Sequence, residues 1–340
     1  MIPGCPMENR SLLVFDMDGV LVDVTQSYRE TVRKTARLFF KGARGFEFLP
    51  NPLFPLDELA EVKRQGGLNN DWDLAFRVIS MLFSMVETSD KAPPVGKDYW
   101  NLHRESVSAW DVTPLADFLT TKQRGLAGLP APNTRANACV GRFYQRDVGE
   151  GNIIKQIFQE IYLGGDLFRA TYGMAPRAHD GEGCIFRERP LVGIETLSRL
   201  GSNHIMAIAT GRPGSEADFA LNVSGLKCFF DVVLTLDDCL AEEKARAKAG
   251  KEGGSLSKPD PFMLDTIIER LPVVPARLYY VGDMPDDMIA ALRSSHGFVP
   301  VGVTGTGPDS GAAAKALIEA GAEFLIGGVE ELAEILRTWP

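Results

Sequence analysis

Residues 14 to 23 read VFDMDGVLVD, so Asp16 and Asp18 stand one residue apart at the end of an apolar run. Carboxylates placed that closely repel each other, and three readings fit them: a turn signal, a metal site, or the start of a catalytic apparatus. Far along the chain stand Thr210-Gly211-Arg212, Lys258, and Asp283 with Asp287 four residues on. Asp16, Asp18, Asp283 and Asp287 make an oxygen-rich, imidazole-poor set, which suits Mg²⁺ better than zinc. The Thr210 hydroxyl, the backbone amides after it and the Lys258 ammonium suit phosphate oxygens. Together they point to phosphoryl transfer, with Asp16 as a candidate nucleophile. A metal and a lysine answer the repulsion of the two acids by shielding carboxylate and phosphate during attack.

For these groups to meet, the chain must bring distant segments to one place. Apolar runs at Ser11 to Asp16, His204 to Thr210, Asp231 to Leu236, Arg277 to Asp283, Phe298 to Thr304 and Ala322 to Gly327 read as buried parallel strands. Helical patterns such as PLVGIETLSRLG, PDPFMLDTIIERL and PDDMIAALRSS alternate with them. That rhythm predicts right-handed crossovers and a doubly wound α/β sheet. In such sheets ligands bind beyond the carboxyl ends of the strands, where all the chemical groups above fall.

One gap breaks the rhythm. About 190 residues separate Asp16 from Thr210, far more than one crossover needs. TQSYRETVRKTARLFFKG and NDWDLAFRVISMLFSMVE carry apolar faces at helix spacing, and NIIKQIFQEIYLGG reads as a helix ending at Gly164 and Gly165. The expected organisation is an α/β core from 1–24 and 186–340, with a mostly helical domain inserted over 25–185. Roughly 106–147, rich in Pro, Gly, Asn and Arg, reads as irregular. AEEKARAKAGKEGGSLS, from Ala241, reads as a charged, solvated helix and a Gly-Ser loop.

Composition narrows the partners. A net charge of −9 on 340 residues argues against nucleic acid and against an anionic membrane surface. No apolar stretch approaches the roughly 20 residues that span a bilayer. Five scattered cysteines without CxxC spacing fit a reducing compartment, and the first ten residues read as neither leader nor signal core. The expected setting is the cytoplasm, and the expected partner a small anionic molecule.

FDMDGVLVD, ATGRP, KPDP and VGDMPDDMIAA, in that order, resemble the four motifs of the haloacid dehalogenase superfamily of hydrolases. The resemblance covers roughly residues 11 to 24 and 188 to 335. It implies a Rossmann-like core with a helical cap inserted between motifs one and two. It further implies Asp16 as nucleophile and Mg²⁺ ligand, and Asp18 as general acid and base whose carbonyl also meets the metal. Thr210 and the Gly211 amide would hold the phosphoryl group, Lys258 would neutralise it, Asp283 would bind the metal, and Asp287 would support that shell. Asp286, between them, reads as outside the metal shell, with a contact through water as the lesser alternative. A second acid at position 18 disfavours dehalogenases, and DMDGV differs from the DKTGT of transport ATPases. A phosphatase of small phosphomonoesters is the expected activity; a phosphomutase and an idle binding protein on the same fold are the alternatives.

In the insertion, VKRQGGLNNDWD offers Lys63, Asn69 and Asn70 as substrate contacts, with a helix stop followed by an Asx cap as the rival reading. Arg212 reads either as a clamp for a distal anionic group or as part of the crevice rim. His179-Asp180 near Cys184 reads as part of the return to the core, TGTGPDSG as a strand-to-helix connection, and Asp23 as a hinge or capping residue.

Overall fold

The computed structural model describes residues 10–59, 62, 70–88, 96, 98–121, 125–251, 253–307 and 310–336. In chain order its strands are β1 (Leu12–Phe15), β2 (Val22–Asp23), β3 (Glu87–Thr88), β4 (Trp110–Asp111), β5 (Arg189–Pro190), β6 (Ile205–Ala209), β7 (Val232–Leu234), β8 (Leu278–Gly282), β9 (Val299–Val303) and β10 (Phe324–Ile326). The chain divides into two compact units, one running through Val24 and resuming at Glu188, the other Thr25–Arg187.

The first unit holds a six-stranded sheet in the order β10-β9-β8-β1-β6-β7, and every pairing is parallel. From β1 the order steps outward through β6 and β7, then returns to the other side of β1 with β8, β9 and β10. β1 is therefore flanked by the switch point of a doubly wound sheet. Alternation along the strands feeds two cores. Leu13, Phe15, Met206, Ile208, Tyr279 and Val281 face one side, and Leu12, Val14, Ile205, Ala207 and Tyr280 the other. Burial on both faces is why these strands read as continuous apolar runs.

Helices cover both faces. The helices named here are, in chain order, α1 (Tyr28–Phe39), α2 (Asp71–Phe83), α3 (Tyr99–Ser108), α4 (Thr113–Thr121), α5 (Thr134–Gly141), α6 (Ile153–Tyr172), α7 (Ile194–Asn203), α8 (Gly214–Val223), α9 (Leu236–Lys248), α10 (Phe262–Arg270), α11 (Pro285–Arg293), α12 (Ser310–Glu319) and α13 (Val329–Ile335). Leu197, Leu221 and Leu332 bring α7, α8 and α13 to the first core; Leu264, Ile267 and Ala291 bring α10 and α11 to the second. The charged stretch after Ala241 continues α9 as an exposed helix, with Arg246 paired to Glu242 one turn back.

The second unit is helical. Phe39 of α1 and Phe40 just after it meet Trp110, Phe83, Phe143 and His103 in an aromatic cluster. Two expectations need correcting. Residues 106–147 are not one irregular segment: they hold β4, α4 and α5. Asp111 accepts from the Thr113 amide and Asn133 from the Ala136 amide, which starts α5, while Val112, Leu115 and Val140 are buried. Short elements closed by side-chain caps carry too few turns to show a period. Nor does α6 stop at Gly164. Gly164 leaves the helix locally at φ 76°, the Gly165 amide bonds to Gly181 O at 3.0 Å, and the helix resumes to Tyr172.

Candidate active site

The sheet register assembles the site. Phe15 of β1 pairs with Ile208 on one side and Val281 on the other, so the three neighbouring strands end at one level. The residues that follow are Asp16, Thr210 and Asp283. The Asp16 amide donates to Val281 O at 2.8 Å and the Thr210 amide to Leu234 O at 3.0 Å. These bonds hold the first turn after each strand in place.

After Asp16 the chain turns back at once. Leu21 and Val22 donate backbone amides to Met17 O, and Gly19 to Val22 O. Gly19 sits at φ 74°, and a Cβ there would fall inside contact distance of the Asp283 carboxylate. Both the left-handed backbone and the close approach demand glycine.

At the bottom of the site lies an ion-pair network. Lys258 Nζ is 2.8 Å from Asp16 Oδ1 and 2.7 Å from Asp287 Oδ1. Asp287 is wholly buried, and its oxygens also accept from the Tyr280 hydroxyl at 2.8 Å and the Met284 amide at 3.0 Å. Asp16, Asp283 and Asp287 each present one carboxylate oxygen within 4.8 Å of the others. Asp286 lies outside that trio, and burial together with Asp287 pushes its carboxyl up.

Burial drives the Asp16 carboxyl up to about 7; Lys258 pulls it down, while Asp287 and Asp18 push with burial. For Lys258, burial alone would lower the ammonium, but Asp16 and Asp287 beside it hold it well above the ordinary lysine value. Lys258 therefore stays charged between two carboxylates throughout the neutral range. A divalent cation would favour the ionised Asp16 further.

Thr210 is buried, and its Oγ1 accepts from the Arg212 amide at 3.2 Å. Gly211 is exposed, with open space where a Cβ would stand. Arg212 is only 1% exposed. Its Nε donates to Asp18 Oδ1 at 2.5 Å and its Nη1 to Glu188 Oε2 at 2.9 Å. Arg212 is buried between two carboxylates and does not stand exposed at a rim.

The structure thus groups Asp16, Asp18, Thr210, Gly211, Lys258, Asp283 and Asp287 in the core unit. Lys63 and Asn69 lie outside the described residues. Asn70 is the N-cap of α2: its Oδ1 accepts from the Asp73 amide at 2.7 Å. His179 and Asp180 bond to Glu182 O and Arg169, separately from each other. Asp23 pairs with Arg189 across β2 and β5, where the chain leaves and re-enters the core.

Glu188 and Tyr280 were missed from sequence. Glu188 gave no signal, because its partner lies 24 residues on. Tyr280 did give one: a hydroxyl on a buried strand needs a partner.

Residues 190–301 match the family described as haloacid dehalogenase-like hydrolase, a span holding Thr210, Lys258, Asp283 and Asp287. That span lies within the core unit and makes up about a third of the chain. The Asp16–Asp18 turn lies outside the matched span and meets it through the pairing of β1 with β6 and β8. Among solved structures, a crystal structure from a structural genomics consortium superposes with a TM-score of 0.66 at 19% identity, covering 97% of this chain and 98% of that one. A phosphatase from Thermococcus thioreducens superposes at 0.51 with 22% identity, covering 86% and 92%. An imidazoleglycerol-phosphate dehydratase from Phytophthora nicotianae is 22% identical over 292 residues, 86% of this chain, and the chain spans 42% of that protein's length. Among the described residues no helix is long and apolar enough to cross a membrane.

Proposed function

We propose that this hydrolase is a Mg²⁺-dependent phosphatase of small phosphomonoesters working through an aspartyl-phosphate on Asp16. The observation that carries the reading is Lys258 bridging Asp16 and Asp287 beside Asp283, with Thr210 and Gly211 at the end of the adjacent strand. The donor set fits the ion: three carboxylate oxygens within 4.8 Å of one another and no imidazole or thiol among them. Asp16 and Asp283, with the Asp18 carbonyl, would hold Mg²⁺. Asp287, already accepting from Lys258, Tyr280 and Met284, would keep the donors in register. When bound, the ion offsets charge on the phosphoryl oxygens.

The remaining chemistry belongs to side chains. An Asp16 oxygen attacks phosphorus as the bond to the leaving oxygen breaks, and Asp18 delivers a proton to that oxygen. Water, losing its proton to Asp18, then attacks the phosphorus, releases inorganic phosphate and restores the Asp16 carboxylate. Thr210, the Gly211 amide and Lys258 hold the phosphoryl oxygens throughout. A helical unit inserted directly after the nucleophile loop would serve as the cap that selects the substrate. A cytoplasmic setting belongs to the same proposal.

The test is a phosphate-release screen with Mg²⁺ over a broad metabolite panel. Similarity to part of a protein named imidazoleglycerol-phosphate dehydratase puts imidazole-bearing phosphomonoesters first on it. Release of inorganic phosphate from one class supports the reading. An isomeric phosphate as product would mark a phosphomutase instead, and no turnover on any member would leave a binding protein.

A further inference from the structure

Arg212 is among the largest side chains buried in the molecule, and its burial has a direction. A guanidinium leaves water at high cost unless carboxylates meet it, and two do. Nε faces Asp18 Oδ1 and Nη1 faces Glu188 Oε2, whose side chain is 5% exposed. Arg212 does not depend on Asp18 for its place. Its carbonyl accepts from the Leu236 amide at 2.9 Å, and its amide donates to Thr210 Oγ1. Glu188 is fixed in turn, because the next two residues form β5 and pair with β2.

Asp18 has the opposite character. Its side chain is 32% exposed, and it lies on the turn between β1 and β2 rather than in either strand. A carboxylate so placed can rotate about two side-chain torsions, whereas proton transfer needs one oxygen kept within hydrogen-bond reach of the leaving atom. A planar, forked donor anchored on a second acid through Nη1 aims its Nε–H at one Asp18 oxygen and holds it; the compact ammonium of a lysine would not be aimed in this way.

Resting on the phosphatase reading, we propose that Arg212, braced by Glu188, is a positioning residue that orients Asp18 for proton transfer to and from the leaving oxygen. It touches no reacting atom. It acts on the acid and base of the reaction, while its backbone amide separately steadies Thr210.

The test uses two substrate types and the full chain with Mg²⁺. For an activated aryl phosphate the leaving oxygen departs without a proton; for an alkyl phosphate it needs one. The constant kcat/KM reads only the steps through phosphoryl transfer to Asp16. In Arg212→Met, kcat/KM for the alkyl phosphate is expected to fall about 100-fold, at least tenfold more than for the aryl phosphate, since a positioned general acid contributes roughly 10² to 10⁴. KM should change little. Asp18→Asn should show the same substrate dependence with a larger loss. Should Arg212→Met not fold, Arg212→Lys and Glu188→Gln carry the test, each expected to show the same bias at about tenfold.

Equal losses on both substrates in a folded variant would overturn the proposal, as would a loss confined to KM, which marks a substrate contact. Asp18→Asn without substrate bias would remove the role Arg212 is said to support, while leaving the phosphatase reading standing. A wild-type chain that turns over neither substrate would remove the phosphatase reading itself, and this proposal with it.

Discussion

Lys258 Nζ stands 2.8 Å from Asp16 Oδ1, in a site where both side chains are largely withdrawn from water. The same ammonium reaches Asp287, so one cation serves two buried acids. Replacing it, as in Lys258→Met, leaves two carboxylates facing each other without a counter-charge. The expected cost is about 3–5 kcal/mol of stability, the usual result of breaking a buried pair from one side. Urea unfolding would measure it, and added Mg²⁺ should restore part of the loss by supplying positive charge.

Asp16→Asn keeps the shape of the side chain and removes its nucleophilicity. Phosphate release is expected to fall by about 10⁴-fold or more, with the circular dichroism spectrum unchanged. Full activity in that variant would sink the aspartyl-phosphate mechanism.

Removing divalent metal with a chelator should stop phosphate release, and Mg²⁺ should restore it. Because the ion binds only the folded carboxylate cluster, saturation at 100 times its dissociation constant should add about 2.7 kcal/mol of stability. A melting temperature that ignores Mg²⁺ would argue that Asp16 and Asp283 do not hold it.

Gly19→Ala tests the turn. Its φ of 74° strains any residue with a Cβ, and that Cβ would displace the Asp283 carboxylate. The expected result is a loss of about 1–3 kcal/mol together with a higher Mg²⁺ requirement for turnover. Titration of activity against Mg²⁺ would read the second effect.

His103 gives the insertion a pH dependence. It is buried among Phe39, Phe143 and Trp110, and Nε2 donates to Phe39 O at 3.0 Å. Burial lowers its pKa from 6.5 to about 4, so the folded unit holds it neutral. Between those values the unfolded chain binds the proton and the folded one does not. Its contribution is therefore fully present above pH 6.5 and lost progressively as pH falls to about 4, up to about 3 kcal/mol. Unfolding of wild type and His103→Gln across that range should show a shallower pH slope in the variant.

Sequence legibility followed chain separation and period. The strands of the large sheet were readable because burial on both faces gives unbroken apolar runs, and Asp16, Thr210 and Asp283 stood at their ends. The short elements of 106–147 were not, since α4 and α5 are too brief for a period and rest on caps at Asp111 and Asn133. The burial of Arg212 was hidden for another reason. Its two carboxylate partners, Asp18 and Glu188, lie far from it in the chain. Asn70 followed the capping pattern weighed against substrate contact, in which the side chain closes a helix end.

The two-residue ladder of β2 and β5 bears on the length of the insertion. Val22 faces Pro190 and Asp23 faces Arg189, so the chain exits the core and returns to it through adjacent positions. A segment whose ends already meet adds little closure entropy to the core, whatever its length. The port between Asp23 and Arg189 thus lets the inserted segment change in length at little entropic cost while the sheet keeps its register.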